Sequence, residues 1–124
     1  MKAIKDLYTI FHPLPLAPVS ATTTSAAIDF ANVEENLIEF QFGLRTDGIT
    51  VPSLVDSPDG VAYTAVPAIF VIGSLTPAAS NVSQKCSYDG PNRFVKAVLT
   101  STGATTGVVA GVNVVAKPRK QPAP

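Results

Sequence analysis

Short β-branched runs, cut about every eight to twelve residues by Gly, Pro and Asp turn signals, constrain this chain more than any other feature. The breaks are Asp47-Gly48, Ser57-Pro58-Asp59-Gly60, Asp89-Gly90-Pro91-Asn92 and the Gly103 to Gly107 stretch. Glycine supplies positive φ, proline pre-sets φ for the second turn position, and aspartate offers the turn a local acceptor. Between them Leu37 to Arg45 alternates, with Ile38, Phe40, Phe42 and Leu44 on the face expected to be buried. Val82, Gln84, Cys86 and Tyr88 alternate against Ser83, Lys85 and Ser87 in the same way.

The remaining segments follow from those anchors. Thr22 to Phe30 reads as a first strand, and Asn32 to Asn36 as a loop or single helical turn. Ile49 to Val55 reads as a strand that Pro52 places at an edge or bulge, with Val61 to Val66 as its hairpin partner. Ile69 to Ile72 is a short apolar piece, and Leu75 to Ser80 a loop. Arg93 to Thr100 and Val108 to Ala116 close the set. The expected fold is all-β: an antiparallel β-sandwich or jelly-roll-like barrel of seven to eight short strands.

Six of the eleven prolines fall in the terminal segments. Pro13, Pro15 and Pro18 push residues 9–21 toward extended geometry, and Leu14, Leu16 and Val19 between them are poorly suited to a sheet ladder. Ile4, Leu7 and Tyr8 are spaced for one helical turn. The expected organisation is an N-terminal arm at 1–21, a sandwich at 22–116 and a basic, proline-punctuated tail at 117–124.

Nine Lys/Arg balance nine Asp/Glu, so no net field draws the chain to nucleic acid or an anionic membrane. Met1 to Lys5 resembles the charged start of a signal peptide, but Asp6, His12 and the prolines interrupt the apolar region that should follow. Gly107 to Ala116 is about half the length of a membrane span, so its Gly107-x-x-x-Gly111 spacing reads as buried strand rather than helix pairing. With 46% hydrophobic and 15% charged residues, a homodimer or homotrimer is expected.

Little in the sequence points to catalysis. The single cysteine, Cys86, excludes an intrachain disulfide and reads as a small buried hydrophobe. The single histidine, His12, has no recognisable nucleophile or orienting carboxylate and reads as a surface or partner contact. Three Asp-Gly pairs lack the spacing of a calcium loop. Glu34 and Glu35 would face opposite ways on a strand. No enzyme, metal or cofactor is expected.

Four passages resemble the capsid decoration, or cement, proteins of tailed bacteriophages, a family of small β-sandwich virion proteins. They are Lys5 to Ala27, with its Lys-Asp-Leu-Tyr start, and Arg45 to Val66, which holds Arg-Thr-Asp-Gly-Ile-Thr. The others are Arg93 to Gly107 and the valine-rich Val108 to Pro122. The resemblance implies a protein on the capsid exterior that binds the major capsid protein and bridges its neighbouring subunits. The contacts are expected on the two arms, at Ile4, Leu7, Tyr8, Phe11, His12, Leu14, Leu16, Lys117, Arg119 and Lys120. The alternatives are a β-sandwich recognition module, such as a head-fibre base or glycan-binding domain, and a tail or head–tail structural component. Three scattered tyrosines and no tryptophan speak against a glycan platform.

Overall fold

The computed structural model describes residues 8–118. They form ten strands and one 3-10 turn: β1 (Thr9–Val19), β2 (Thr23–Thr24), β3 (Ile28–Asp29), β4 (Val33–Arg45), β5 (Ile49–Ser57), β6 (Thr64–Ala65), the turn Ala68–Phe70, β7 (Val71–Ile72), β8 (Ser83–Tyr88), β9 (Phe94–Thr102) and β10 (Val108–Pro118). All pairings are antiparallel, in one sheet ordered β1-β10-β4-β8-β7 and another ordered β2-β9-β5-β6, with β3 also on β9.

The arrangement is sandwich-like because alternate residues of both sheets feed one core. Ile38, Phe40 and Phe42 of β4 and Val108, Ala110, Val112 and Val114 of β10 meet Val95, Ala97 and Leu99 of β9 and Leu54 of β5. Period-two alternation makes this possible, since a strand buries one face at a time. Leu44, expected on the buried face, is 63% exposed. The β4–β10 register shifts between the Phe42↔Ala110 and Arg45↔Val108 pairs, and the extra residue breaks the alternation just before Leu44.

The residues between Thr9 and Val19 correct the expectation of a free arm. They pair with β10 from Thr9↔Ala116 to Val19↔Val108, so the sheet begins at Thr9 and runs to Pro118. The ladder slips between Phe11 and Leu14 and again between Leu14 and Ala17, around Pro13 and Pro15, which cannot donate hydrogen bonds. An edge strand tolerates this, and proline there discourages pairing with another edge. Two glycines let β1 lie close. A Cβ on Gly111 would sit 3.0 Å from the Leu16 Cα, and one on Gly107 (φ +79°) would overlap the Val19 carbonyl. The spacing that imitates a helix-pairing motif is thus a bed for an edge strand.

Other departures have local causes. Thr22 to Phe30 splits into two short strands because the Ser25 hydroxyl intervenes, accepting the Ala97 N–H at 2.9 Å while the Ser25 N–H donates to the Ala97 carbonyl at 2.8 Å. Val61 to Val66 shrinks to β6 because Ser57 Oγ accepts the Gly60 N–H at 2.9 Å and Asp59 Oδ1 accepts the Val61 N–H at 2.9 Å. Those donors are spent locally and cannot join a ladder. Conversely, Asn32 to Asn36 is mostly strand. The Asn36 amide donates to the Tyr88 carbonyl and accepts the Tyr88 N–H, both at 2.9 Å, extending the β4–β8 pairing through a side chain. Pro52 lies where β6, paired only to Val55 and Asp56, leaves β5 an open edge.

Candidate interaction surface

β1 carries five of the residues expected to touch a partner or leads into them. Tyr8 precedes the strand, and Phe11, His12, Leu14 and Leu16 lie along it; Lys117 sits on neighbouring β10. Ile4, Leu7, Arg119 and Lys120 lie outside the described residues. The structure divides the strand's side chains between two destinations. Leu14 packs against the core and is not a free contact residue. Phe11, 39% exposed, rims an apolar cleft of about 400 Å³ with Pro13, Ala27 and Ile28, at the seam between the two sheets. The Ala26 N–H donates to the Pro13 carbonyl at 3.0 Å across that seam.

Ile10, His12 and Leu16 belong to the outward face of the β1-β10-β4-β8-β7 sheet. The register builds cross-strand rows there. One runs Ile10, Val115, Leu37 and on to β7, where Ile72 pairs with Ser87. The next runs from His12 through Asn113 and Glu39 to Lys85. In that row the Asn113 amide nitrogen donates to Glu39 Oε1 at 2.9 Å, which leaves Asn113 Oδ1 to accept from His12 Nδ1 at 2.7 Å. With Nδ1 donating, Nε2 of a neutral ring is left as an acceptor. Sequence reading missed Leu37, Ile72 and Asn113; the signal for the first was the outward half of the Leu37 to Arg45 alternation.

The aspartates of the turns serve the fold. Asp47 Oδ1 accepts N–H groups from Gly107 at 2.7 Å and from Thr105 and Thr106 at 3.1 Å, tying the β4–β5 corner to the β9–β10 turn. These bonds, Gly107's foremost, hold its carboxyl below the usual carboxylate range. Asp59 is lowered chiefly by the Val61 N–H and the Ser57 hydroxyl. Asp29, hydrogen-bonded by Arg93 at 2.8 and 2.9 Å, falls to about 2. Both members of that pair are about half exposed, so it adds little stability.

A polar cleft of about 420 Å³ opens at the end of the molecule where β8 leads toward β9, lined by Phe30, Asn32, Glu34, Asp89, Asn92 and Arg93 among others. Tyr88 also lines it, and the Tyr88 hydroxyl donates to the buried Asp56 Oδ2 at 2.6 Å. The Tyr88 ring is stacked on Phe30 with centroids 5.9 Å apart, and the Tyr63 ring is covered by the Lys96 ammonium at 4.3 Å. Tyr88 is buried and offers no ring face for a sugar.

Cys86 is 3% exposed and burial pushes its thiol up to about 11. Because the thiolate is the reactive form, native protein at pH 8 is expected to react with a thiol-specific reagent at least about 100-fold slower than the urea-unfolded chain. Comparable rates, measured by absorbance or mass, would show that the strand opens readily around it.

Together these features define an all-β, sandwich-like protein whose outward sheet face carries a registered apolar row beside polar ones. No family model matches the sequence, and no curated protein matches it.

Proposed function

We propose that this chain is a structural virion protein that binds the outer surface of a tailed-phage head and bridges neighbouring major-capsid subunits. The observation that carries this reading is where the ends leave the body. Thr9 opposes Ala116 and Pro118 opposes Val33, so the first and last described strands run side by side and both termini leave from the same end of one sheet. Two tethers issuing from one end can engage adjacent subunits while the sandwich stays outside. A ligand that binds only the assembled lattice stabilises it by mass action, and many weak sites add up. β1 is built into the body, so the contacts proposed for the arms fall to residues 1–8 and 119–124.

The strand pairing supports a jelly-roll reading of the fold. First pairs with last (β1·β10), the next in with the next in (β2 and β3·β9), then β4·β8 and finally β5·β6. Such nesting is a long hairpin rolled into two sheets, an architecture found in viral capsid proteins and in lectins. Fold alone does not choose between them.

The test is to add purified protein to heads that lack it and to measure occupancy and the temperature of genome release. Saturable binding that raises the release temperature is expected, and deletion of residues 1–8 should reduce occupancy at least about tenfold. Equal release with and without bound protein would sink the stabilising role. Unchanged occupancy after the deletion would sink the tether.

A further inference from the structure

We infer that the outward face of the β1-β10-β4-β8-β7 sheet is a self-complementary surface that takes a second copy of this chain, paired about a two-fold axis running along the strands between β10 and β4. The inference does not depend on the capsid reading.

Three observations support it. Among the described residues nothing covers the apolar members of the row from Ile10 to Ile72, which Ser87 interrupts between Leu37 and Ile72: Ile10 is 61% exposed, Leu37 37% and Ile72 59%. Lys117 opposes Glu35 in the ladder on one side of that row, and Lys85 opposes Glu39 on the other. Neither couple closes into an ion pair within the chain; among the described residues the ion pair is Asp29–Arg93. Lys117, Glu35 and Lys85 are therefore available to a partner, while Glu39 keeps one oxygen on the Asn113 amide of its own chain.

Symmetry then restricts the axis. Two identical faces packed together exchange strands across the axis while keeping their rows when the axis runs along the strands. Placed between β10 and β4, it sets Lys117 against the second copy's Glu35 and Val115 against its Leu37, each twice. It also sets Lys85 against the second copy's His12, and Asn113, whose amide hydrogens go to Glu39 and Gln41 of its own chain, against the second copy's Glu39. An axis on β4 would instead oppose Glu39 to itself, and one on β10 would oppose Lys117 to itself. Running the axis across the strands along the apolar row would bring Glu35 against Glu39. Packed sheets rotate by about 30°. Charges one row from the centre, about 7 Å away, shift by only about 4 Å, which a lysine side chain spans.

The four strands that overlap about this axis span about 14 Å, and with about 27 Å along nine residues of β10 they give roughly 400 Å² per copy and about 800 Å² for the pair. That is below the size of a stable specific interface, so the dimer is a weak one that should dissociate reversibly on dilution.

Sedimentation equilibrium of the full chain over a hundredfold concentration range tests this. A monomer–dimer equilibrium is expected. Lys117→Glu should weaken it at least about tenfold, Glu35→Lys likewise, and the double swap should return it to within about threefold of the parent. Leu37→Asp should weaken it about a hundredfold. Unfolding melts on each variant separate misfolding from lost association. A chain monomeric throughout, a dimer indifferent to Leu37→Asp, or a double swap no better than the singles would each overturn the proposal. Binding to heads by a strictly monomeric protein would assign the face to the capsid instead.

Discussion

Gly107→Ala is expected to lower the unfolding free energy by about 2–5 kcal/mol in urea titration, a large share of the roughly 5–15 kcal/mol that holds a domain folded. Two costs combine. The residue has φ +79°, where an L side chain loses about 1–2 kcal/mol. A Cβ there also overlaps the Val19 carbonyl oxygen, a backbone atom that cannot rotate away, and such overpacking costs about 1–3 kcal/mol more. Gly103 provides the control. It has φ +66° with nothing within 4 Å of a built Cβ, so Gly103→Ala should show the conformational cost alone. Equal losses at the two positions would mean that β1 is not held tightly where it crosses β10, and the exposed sheet face would lose its edge.

Tyr88→Phe is expected to cost about 1.5–3 kcal/mol, the range for a hydrogen bond to a charged group. Tyr88 and Asp56 are 6% and 4% exposed, so deleting the hydroxyl leaves a carboxylate buried without its 2.6 Å donor. The Asn92 N–H, which donates to the same hydroxyl at 3.1 Å, loses its acceptor too. Asp56→Asn keeps an acceptor and removes the charge, and should cost less. Burial first, and then Asp56, push the Tyr88 phenol up to about 12. A folded-state value above the ordinary 10 means that the neutral phenol's contribution is whole below pH 10 and is lost as pH rises toward 12. The stability difference between parent and Tyr88→Phe should therefore shrink across that window. A difference constant from pH 8 to pH 12 would refute the buried pairing.

The strands that were legible in the sequence were those whose alternation ran unbroken. Spacing alone puts Ile38, Phe40 and Phe42 on one face, and residue type marks Cys86 as a buried hydrophobe; the structure buries all four, while Val82, in the same alternating set as Cys86, is exposed. Misreadings came where a side chain replaced a backbone partner. Nothing in Asn32 to Asn36 announces that one asparagine amide will mimic a strand, and nothing in Ser57 to Ala62 announces that a hydroxyl and a carboxylate will consume the hairpin's donors. Leu44 failed because a register slip against a distant strand inverts faces, and slips are set by the partner.

The candidate surface was half legible. His12, Leu16 and Lys117 were named as contact residues from the arm and tail, yet they share a surface only because β10 lies between β1 and β4. Leu37 and Ile72 join it through the β4–β8 and β7–β8 registers.

Turn positions and strand periodicity are local properties, carried by the φ preferences of Gly and Pro and by the two-residue repeat of the pleat, so the amino-acid order alone determined an all-β chain with these breaks. Which strand lies beside which, and so whether a proline-laced segment reaches outward or is seated on two glycines about ninety residues away in sequence, depends on contacts between distant residues that become favourable only once the shared core is closed. That decision belongs to the tertiary structure.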